Sequence, residues 1–497
     1  METLFYKFIY EKDIKRSMHM LEFLCEAKHI VTLDDLKEVM NVSDKTVNVT
    51  IECARKMLPK GTSIAIKNRN VILDNHSKGS LEDVFIEIAK GTVEFRVLEY
   101  AFSDGNLNIH ELSNKLFIAE TTLRYRIKHM NEVLSTFGCS ISSYNVKIQG
   151  KETDIRYFYY AYFSEFQELF TSFLSDELRF CSDIFKVMRD GLKKNGIPVL
   201  HYSNQQISRW LLLTRERISR GNFVKLDKKF VSKIQRRNYY PEFRTIYIGQ
   251  VMKGVLELGI PEDEIAWAYV VGFNSIVYTA ETPEFELYWD DPDNVEKKKI
   301  INSIIEFIMD TFDIQDEQKE SYLRIHRAYL LNMSLLTEAS SVFQIGAGEI
   351  KNYVANTLGN LYITWFDYLS KWEYDNELFL ISNIHSICSQ LTLMTSQFVY
   401  NQRYQEKTIL YSFEGEAGFT AYLETIASIL MPSGVKGIFL HREAITLSLL
   451  KEKKVDLIVS NYRIVEKLEC YKCFRMSHVP DIQEWTELRR LIIYPLL

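Results

Sequence analysis

Four residues in the stretch TTLRYRIKHMNEVL (121–134) have side chains suited to gripping a nucleic acid. Arg124, Arg126 and Lys128 offer cations for phosphates or base edges, and Tyr125 adds an aromatic ring. Leu123, Ile127, Met130 and Leu134 recur among them every three or four residues, which on a helix makes one apolar stripe. The spacing predicts a helix that packs by an oily back and presents a basic, aromatic front. Other candidate chemistry is thinner. Cys470-Tyr-Lys-Cys473 is a CxxC with no second CxxC or CxxH to complete a zinc site, and it enters a strand rather than a strand-to-helix turn. The acidic cluster Asp290-Asp291-Pro292-Asp293 lacks EF-hand spacing and its glycine, and reads as a solvated linker. There is no GxxxxGK[ST], HExxH or GxSxG pattern, so the chain is expected not to be an enzyme and to need no cofactor or metal.

The element that positions these residues occurs twice. Shifting the sequence by 76 positions lays Leu123, Ile127, Met130 and Leu134 onto Val47, Ile51, Ala54 and Leu58. Upstream, Leu33, Leu36, Met40 and Val42 fall on Ile109, Leu112, Leu116 and Ile118. Each copy reads as a short helix, a tight turn and a longer helix. Thr32 and Asn108 are placed to cap the first helix, and Ser43 precedes the longer helix of copy one. A β-prone hairpin follows each, at 64–73 and 141–148, and an Asn-Val pair recurs in both, at 70–71 and 145–146. Helix, turn, helix and a two-stranded wing make a winged helix-turn-helix, whose second helix lies in the major groove. The residues expected to face DNA are Lys45, Thr46, Asn48, Thr50 and Arg55 in copy one, and Thr121, Thr122, Arg124, Tyr125, Arg126 and Lys128 in copy two. Met1–Gly150 holds 20 Lys+Arg and 20 Asp+Glu, so affinity must rest on a few local contacts, with modest, salt-sensitive binding and limited sequence readout.

From Lys151 to about Gln402 the pattern is helical almost throughout, with aromatics spaced for burial, as in DIRYFYYAYFSEF (154–166). The Pro-bearing acidic break at 282–299 divides this stretch into two all-α domains. Beyond Glu406 the texture changes. Strands are expected at 407–413, 435–440, 455–461 and 472–478, with helices at 419–430 and 482–492, an α/β domain with a parallel sheet. The loop Glu414-Gly-Glu-Ala-Gly418 after its first strand lies where such domains bind ligands. The expected domains are thus 1–78, 79–150, 151–281, 282–402 and 403–497. A chain of 497 residues is too long for one core, and a net charge of −6 gives no global pull toward nucleic acid or membrane. Seven scattered cysteines fit a reducing cytoplasm. METLFYKFIYEKDIKR lacks the apolar core of a signal peptide, and Ile265–Ala280, broken by Gly272 and Asn274, falls short of a membrane span. A cytoplasmic protein is expected.

Together these parts resemble the Mga/AtxA family of transcription regulators, the virulence regulators of Gram-positive bacteria. The paired helix-turn-helices carry the likeness, with Gly150-Lys-Glu-Thr-Asp-Ile-Arg-Tyr-Phe-Tyr159, where the second wing runs into the next helix. A further match is WLLLTRERISRG (210–221), similar to the core helix of a sugar-phosphotransferase (PTS) regulation domain. The resemblance implies two winged helix-turn-helix domains, two all-α PTS regulation domains and a C-terminal α/β domain similar to enzyme IIB. It also implies a homodimer acting on double-stranded DNA, with central histidines phosphorylated by phosphotransferase-system phosphocarrier proteins. His201, His326 and His385 are the candidate acceptors, His326 being flanked by Arg324 and Arg327. Two departures stand out. Trp210 occupies the place where regulation domains usually have a histidine, while Arg217 fits their arginine; and Phe413–Gly418 lacks the cysteine with which enzyme IIB proteins carry phosphate. The missing cysteine tells against a phosphoryl-accepting protein, and the helical N-terminal repeat against an RNA-binding antiterminator, the two competing readings.

Overall fold

The computed structural model describes residues 3–27, 30–58, 61–75, 81–103, 107–142, 144–165, 186, 189–191, 193–194, 203–237, 239–252, 259–278, 295–312, 314, 316–346, 348–371, 381–404, 407–430, 435–441, 445–464, 468 and 471–493. The chain forms two compact units. One comprises Met1–Val295, Tyr329–Lys351 and Asp375–Ser386; the other comprises Glu296–Ala328, Asn352–Tyr374 and Ile387–Leu497.

The first unit opens with α1 (Leu4–Phe8) and α2 (Lys12–Glu26). Then come α3 (Leu33–Met40), α4 (Asp44–Met57) and the antiparallel hairpin β1 (Thr62–Lys67)–β2 (Asn70–Asn75). The same series recurs after α5 (Leu81–Lys90) and α6 (Val93–Phe102): α7 (Ile109–Lys115), α8 (Glu120–Leu134) and the short hairpin β3 (Ser140–Ile141)–β4 (Ile148–Gln149). The expected stripes are the packed faces. Val47, Ile51 and Ala54 are buried in α4, and Leu123, Ile127, Met130 and Leu134 in α8. α3 and α7 both start with a capping box, Thr32 with Asp35 and Asn108 with Glu111, each satisfying two otherwise orphaned N–H groups. Both hairpins then reach back to the residue before that helix. Thr32 bridges Asn70 and Asn108 bridges Asn145, with Val71 N–H donating to Val31 O and Val146 N–H to Leu107 O, both at about the usual amide distance.

α9 (Glu152–Glu165) leaves the second hairpin with Thr153, Ile155, Arg156, Tyr157, Phe158, Tyr159, Tyr160, Tyr162 and Phe163 all buried, a helix covered on every side. Phe158 packs edge-on against Phe8 and Phe137, and Tyr159 against Phe102. Further along, Tyr160 stacks on Trp210 with ring centroids 4.2 Å apart. Trp210 belongs to α10 (Asn204–Ser219), which is followed by α11 (Lys228–Gln235), α12 (Tyr240–Ile246) and α13 (Glu262–Val271). Arg156 clamps Glu264 through two hydrogen bonds of 2.8 Å, and Glu152 receives Arg156 and Arg217 at 2.8–2.9 Å. Such closely paired and hydrogen-bonded charges are what burial demands, because an unpaired ion there would be costly.

α14 (Val295–Phe312), α15 (Asp316–Ala339), α16 (Gly348–Thr357), α17 (Gly359–Ser370) and α18 (Ile384–Tyr404) complete the helical portion. In the second unit the sheet is fully parallel, β5 (Thr408–Ser412), β6 (Lys436–Phe439), β7 (Leu457–Ser460) and β8 (Lys472–Arg475) in the order β6-β5-β7-β8. Side chains alternate as the pleat requires. Ile409, Tyr411, Leu457 and Val459 pack with Leu423 and Ala427 of α19 (Ala417–Leu430) and with Trp485 and Leu488 of α21 (Ile482–Ile493). Leu410 and Ile458 point the other way, toward Leu450 of α20 (Leu447–Glu452), a short helix absent from the sequence reading. The strands and flanking helices otherwise fall where the alternation placed them. Among the described residues no helix is long and apolar enough to cross a membrane.

Candidate nucleic-acid interface

α4 and α8 carry the residues expected to meet DNA, and the structure sorts them into three groups. Lys45 and Asn48 on α4, and Thr121, Thr122, Arg124, Tyr125 and Lys128 on α8, are exposed on the side away from the buried stripe. Thr46 is partly exposed, and its hydroxyl lies 3.0 Å from that of the N-cap Ser43. Arg124 is held in place by its own helix, where Nη2 donates to Glu120 Oε1 one turn earlier at 2.7 Å. That hydrogen bond, aided by His110, holds the Glu120 carboxyl below the usual range.

Arg55 has a structural task. Its Nε and Nη2 donate to Ile64 O of β1 at 3.0 and 2.9 Å, latching the hairpin onto α4. Asn131, 76 residues on, does the same in the second copy, with Nδ2 donating to Ile141 O at 3.0 Å. A helix position whose side chain must reach the wing is committed to it.

Thr50 and Arg126 do not face outward. Thr50 is buried, with its hydroxyl donating to Thr46 O at 2.9 Å. Arg126, the residue 76 positions later, is also buried, its Nη1 donating to Glu94 Oε1 at 3.0 Å and its Nη2 to Glu11 Oε1. Its guanidinium also sits over the Tyr10 ring. Desolvation alone would lower the Arg126 pKa, but hydrogen bonds and charge from Glu11 and Glu94 outweigh it, and the net shift is upward. Both residues therefore drop out of the duplex-facing set. Arg126 instead ties the N-terminal segment to α8, supported by Tyr10 edge-on to His129 and by the 3.1 Å contact between His129 Nε2 and Lys7 O. The 76-residue shift held a clue to this: Met18 and Thr50 of copy one become Glu94 and Arg126, an apolar–small pair replaced by opposite charges. Also unanticipated were the exposed aromatics Phe117, in the turn between α7 and α8, and Tyr144 in the second hairpin.

Of the candidate phosphate acceptors, His201 lies outside the described residues. His326 is sealed, its Nδ1 2.8 Å from Tyr322 O and its Nε2 3.1 Å from Thr395 Oγ1, with the Tyr322 ring stacked on it. Burial, partly offset by hydrogen bonds to backbone, pulls its pKa down to about 4. A carrier protein cannot reach that ring in this fold. His385, second residue of α18, is partly exposed; its pKa is lowered by desolvation and then by the charge of Lys351. Trp210, where regulation domains usually have histidine, is core. In the sheet domain the Glu414 loop is clipped by buried Asn461, which accepts from Glu414 N–H and donates to Glu414 O, both at 2.8 Å. Cys470 and the acidic cluster at 290–293 lie outside the described residues.

A family model described as the Mga helix-turn-helix domain matches residues 77–163, the second helix-turn-helix together with most of α9. A Streptococcus pneumoniae protein named "Putative trans-acting regulator" is 24% identical over 351 residues, 69% of each chain. The capsule synthesis positive regulator AcpA of Bacillus anthracis is 23% identical over 234 residues, 46% of this chain and 47% of AcpA. The anthrax toxin expression trans-acting positive regulator of the same organism is 21% identical over 215 residues, 43% of this chain and 44% of its own. The chain thus matches under half the length of these Bacillus relatives.

Proposed function

We propose that this chain, which belongs to the Mga/AtxA family of regulators, controls transcription by binding double-stranded DNA through both N-terminal helix-turn-helix units. The observation that carries this is the exposed row Thr121, Thr122, Arg124, Tyr125 and Lys128 on a helix whose opposite side is packed away. Lys45, Thr46 and Asn48 make up the corresponding face of α4. In this reading the protein works by binding rather than catalysis, in the cytoplasm, as a homodimer that sets four reading units on an extended site. The central helices act as PTS regulation domains in which phosphocarrier proteins phosphorylate His385. There Lys351 is placed to pair with the added phosphate, and a depressed pKa keeps the imidazole neutral and nucleophilic. The C-terminal domain, similar to enzyme IIB but without its cysteine, serves self-association.

Changing Arg124 and Lys128 together to alanine tests the DNA reading by fluorescence anisotropy across a salt series. Each lost phosphate contact lowers the log–log salt slope by about 0.9, so the double variant should lose roughly two units and bind more weakly at low salt. An unchanged slope and affinity would remove these residues, and with them the proposed interface.

A further inference from the structure

Phe117 is 95% exposed and sits in the turn between α7 and α8 with φ +56°. Asn41 holds the matching place in copy one, 76 residues earlier, with φ +50°. The two turns are built alike. Phe117 N–H donates to Asn114 O at 3.2 Å and Ile118 N–H to Ser113 O at 3.1 Å; Asn41 N–H donates to Glu38 O at 3.1 Å and Val42 N–H to Lys37 O at 3.2 Å. Asparagine adopts a left-handed backbone readily, whereas a bulky aromatic pays for it sterically. A ring held out in water also contributes nothing to the core. On grounds of folding alone, this position favours the asparagine of copy one. The phenylalanine therefore answers to something outside the chain.

The site itself says what that is. Three residues on, α8 begins, and its first exposed side chains are Thr121, Thr122 and Arg124. In a helix-turn-helix the N-terminal end of the second helix enters the major groove, which brings the preceding turn to its edge. Among the groups that base pairs display there, the apolar one is the thymine C5-methyl. We propose that Phe117 is a specificity-determining residue that packs on thymine methyl groups, making copy two an apolar, T-preferring reader while copy one reads through polar contacts. The proposal rests on the DNA-binding function inferred above and adds the feature of the duplex that is read.

The test uses the full chain and duplexes it selects from a random library, synthesised with thymine or with uracil, which lacks the methyl group. Burying one methyl corresponds to about a four-fold change in affinity. Wild type should bind uracil duplexes about four-fold or more weakly. Phe117→Asn should bind both kinds equally, at the weaker level, with an unchanged salt slope because no phosphate contact is lost. Its melting temperature should stay level or rise, since asparagine suits the backbone, and Phe117→Leu should keep part of the thymine preference. A thymine preference that persists in Phe117→Asn would overturn the assignment. So would a variant whose DNA binding is intact but whose sedimentation shows weakened self-association, for the ring would then belong to a second copy. A chain that selects no duplex at all overturns the DNA reading itself, an outcome distinct from both.

Discussion

Replacing Arg126 with alanine separates a DNA contact from a structural ion pair. Glu94 is 1% exposed; its Oε1 accepts from Arg126 at 3.0 Å, and its Oε2 has no hydrogen-bond partner among the described residues. Truncating the arginine leaves that carboxylate buried without its closest cation, a loss of about 3–5 kcal/mol. The Glu11 side of the bridge counts for less, because that carboxylate is 45% exposed and screened, worth at most about 1 kcal/mol. A domain is typically stable by roughly 5–15 kcal/mol, so the variant should melt well below wild type in calorimetry. The paired change Glu94→Met with Arg126→Thr installs the residues copy one uses at Met18 and Thr50, and should recover most of the loss, since an apolar replacement of a buried pair is often neutral. DNA affinity of this double variant should equal wild type. An Arg126→Ala protein that melts like wild type but loses DNA binding would refute the reasoning, because it would put the guanidinium on the duplex.

The buried His326 gives stability a pH dependence of known sign. Its folded pKa of about 4 lies below the ordinary 6.5, so the unfolded chain takes the proton first, and stability is full above pH 6.5 and lost as pH falls toward 4. Between pH 6.5 and 5 the loss should be about 1.5 kcal/mol, and His326→Gln should flatten it; an unchanged slope in urea titrations would place the ring in water. For His385, incubation with phosphoenolpyruvate and the general phosphotransferase proteins should label the chain, and His385→Ala should abolish the label. Label mapped to His326 would show that the helical core opens to admit a carrier.

What could be read in advance was whatever depends on residues close in sequence. The stripe Leu123, Ile127, Met130 and Leu134, the caps Thr32 and Asn108, and the alternating core of the parallel sheet all announce themselves within a few positions. Local spacing puts Arg126 on the solvent face because it treats any cation so, whereas its partners lie 32 and 115 residues away. The latch that exposed Arg55 makes to the wing is hidden for a related reason: its acceptor is a main-chain carbonyl, which no side-chain pattern reports. The sealing of His326 by Tyr322 and Thr395 is likewise a tertiary fact, 69 residues apart in the second case.

Comparison between the copies reaches further than either copy alone. Both keep what the fold needs at matching places: a capping box, a hairpin returning to the residue before it, a helix side chain latching the wing, and a left-handed turn. Positions that need not be kept for packing have diverged in both directions, for Lys45 and Lys56 correspond to Thr121 and Glu132. Asn41, Asn48, Val49 and Glu52 correspond to Phe117, Arg124, Tyr125 and Lys128, and all eight side chains are exposed. Copy two has gained the aromatic rings Phe117 and Tyr125 where they cost the core nothing, and at Phe117 it has done so against backbone preference. The two units thus present chemically different outward faces, that of copy two carrying aromatic rings that copy one lacks. Asn41→Phe in copy one is an instructive change: it should strain that turn and lower the melting temperature without raising DNA affinity, and a tighter-binding variant would refute the division of roles between the copies.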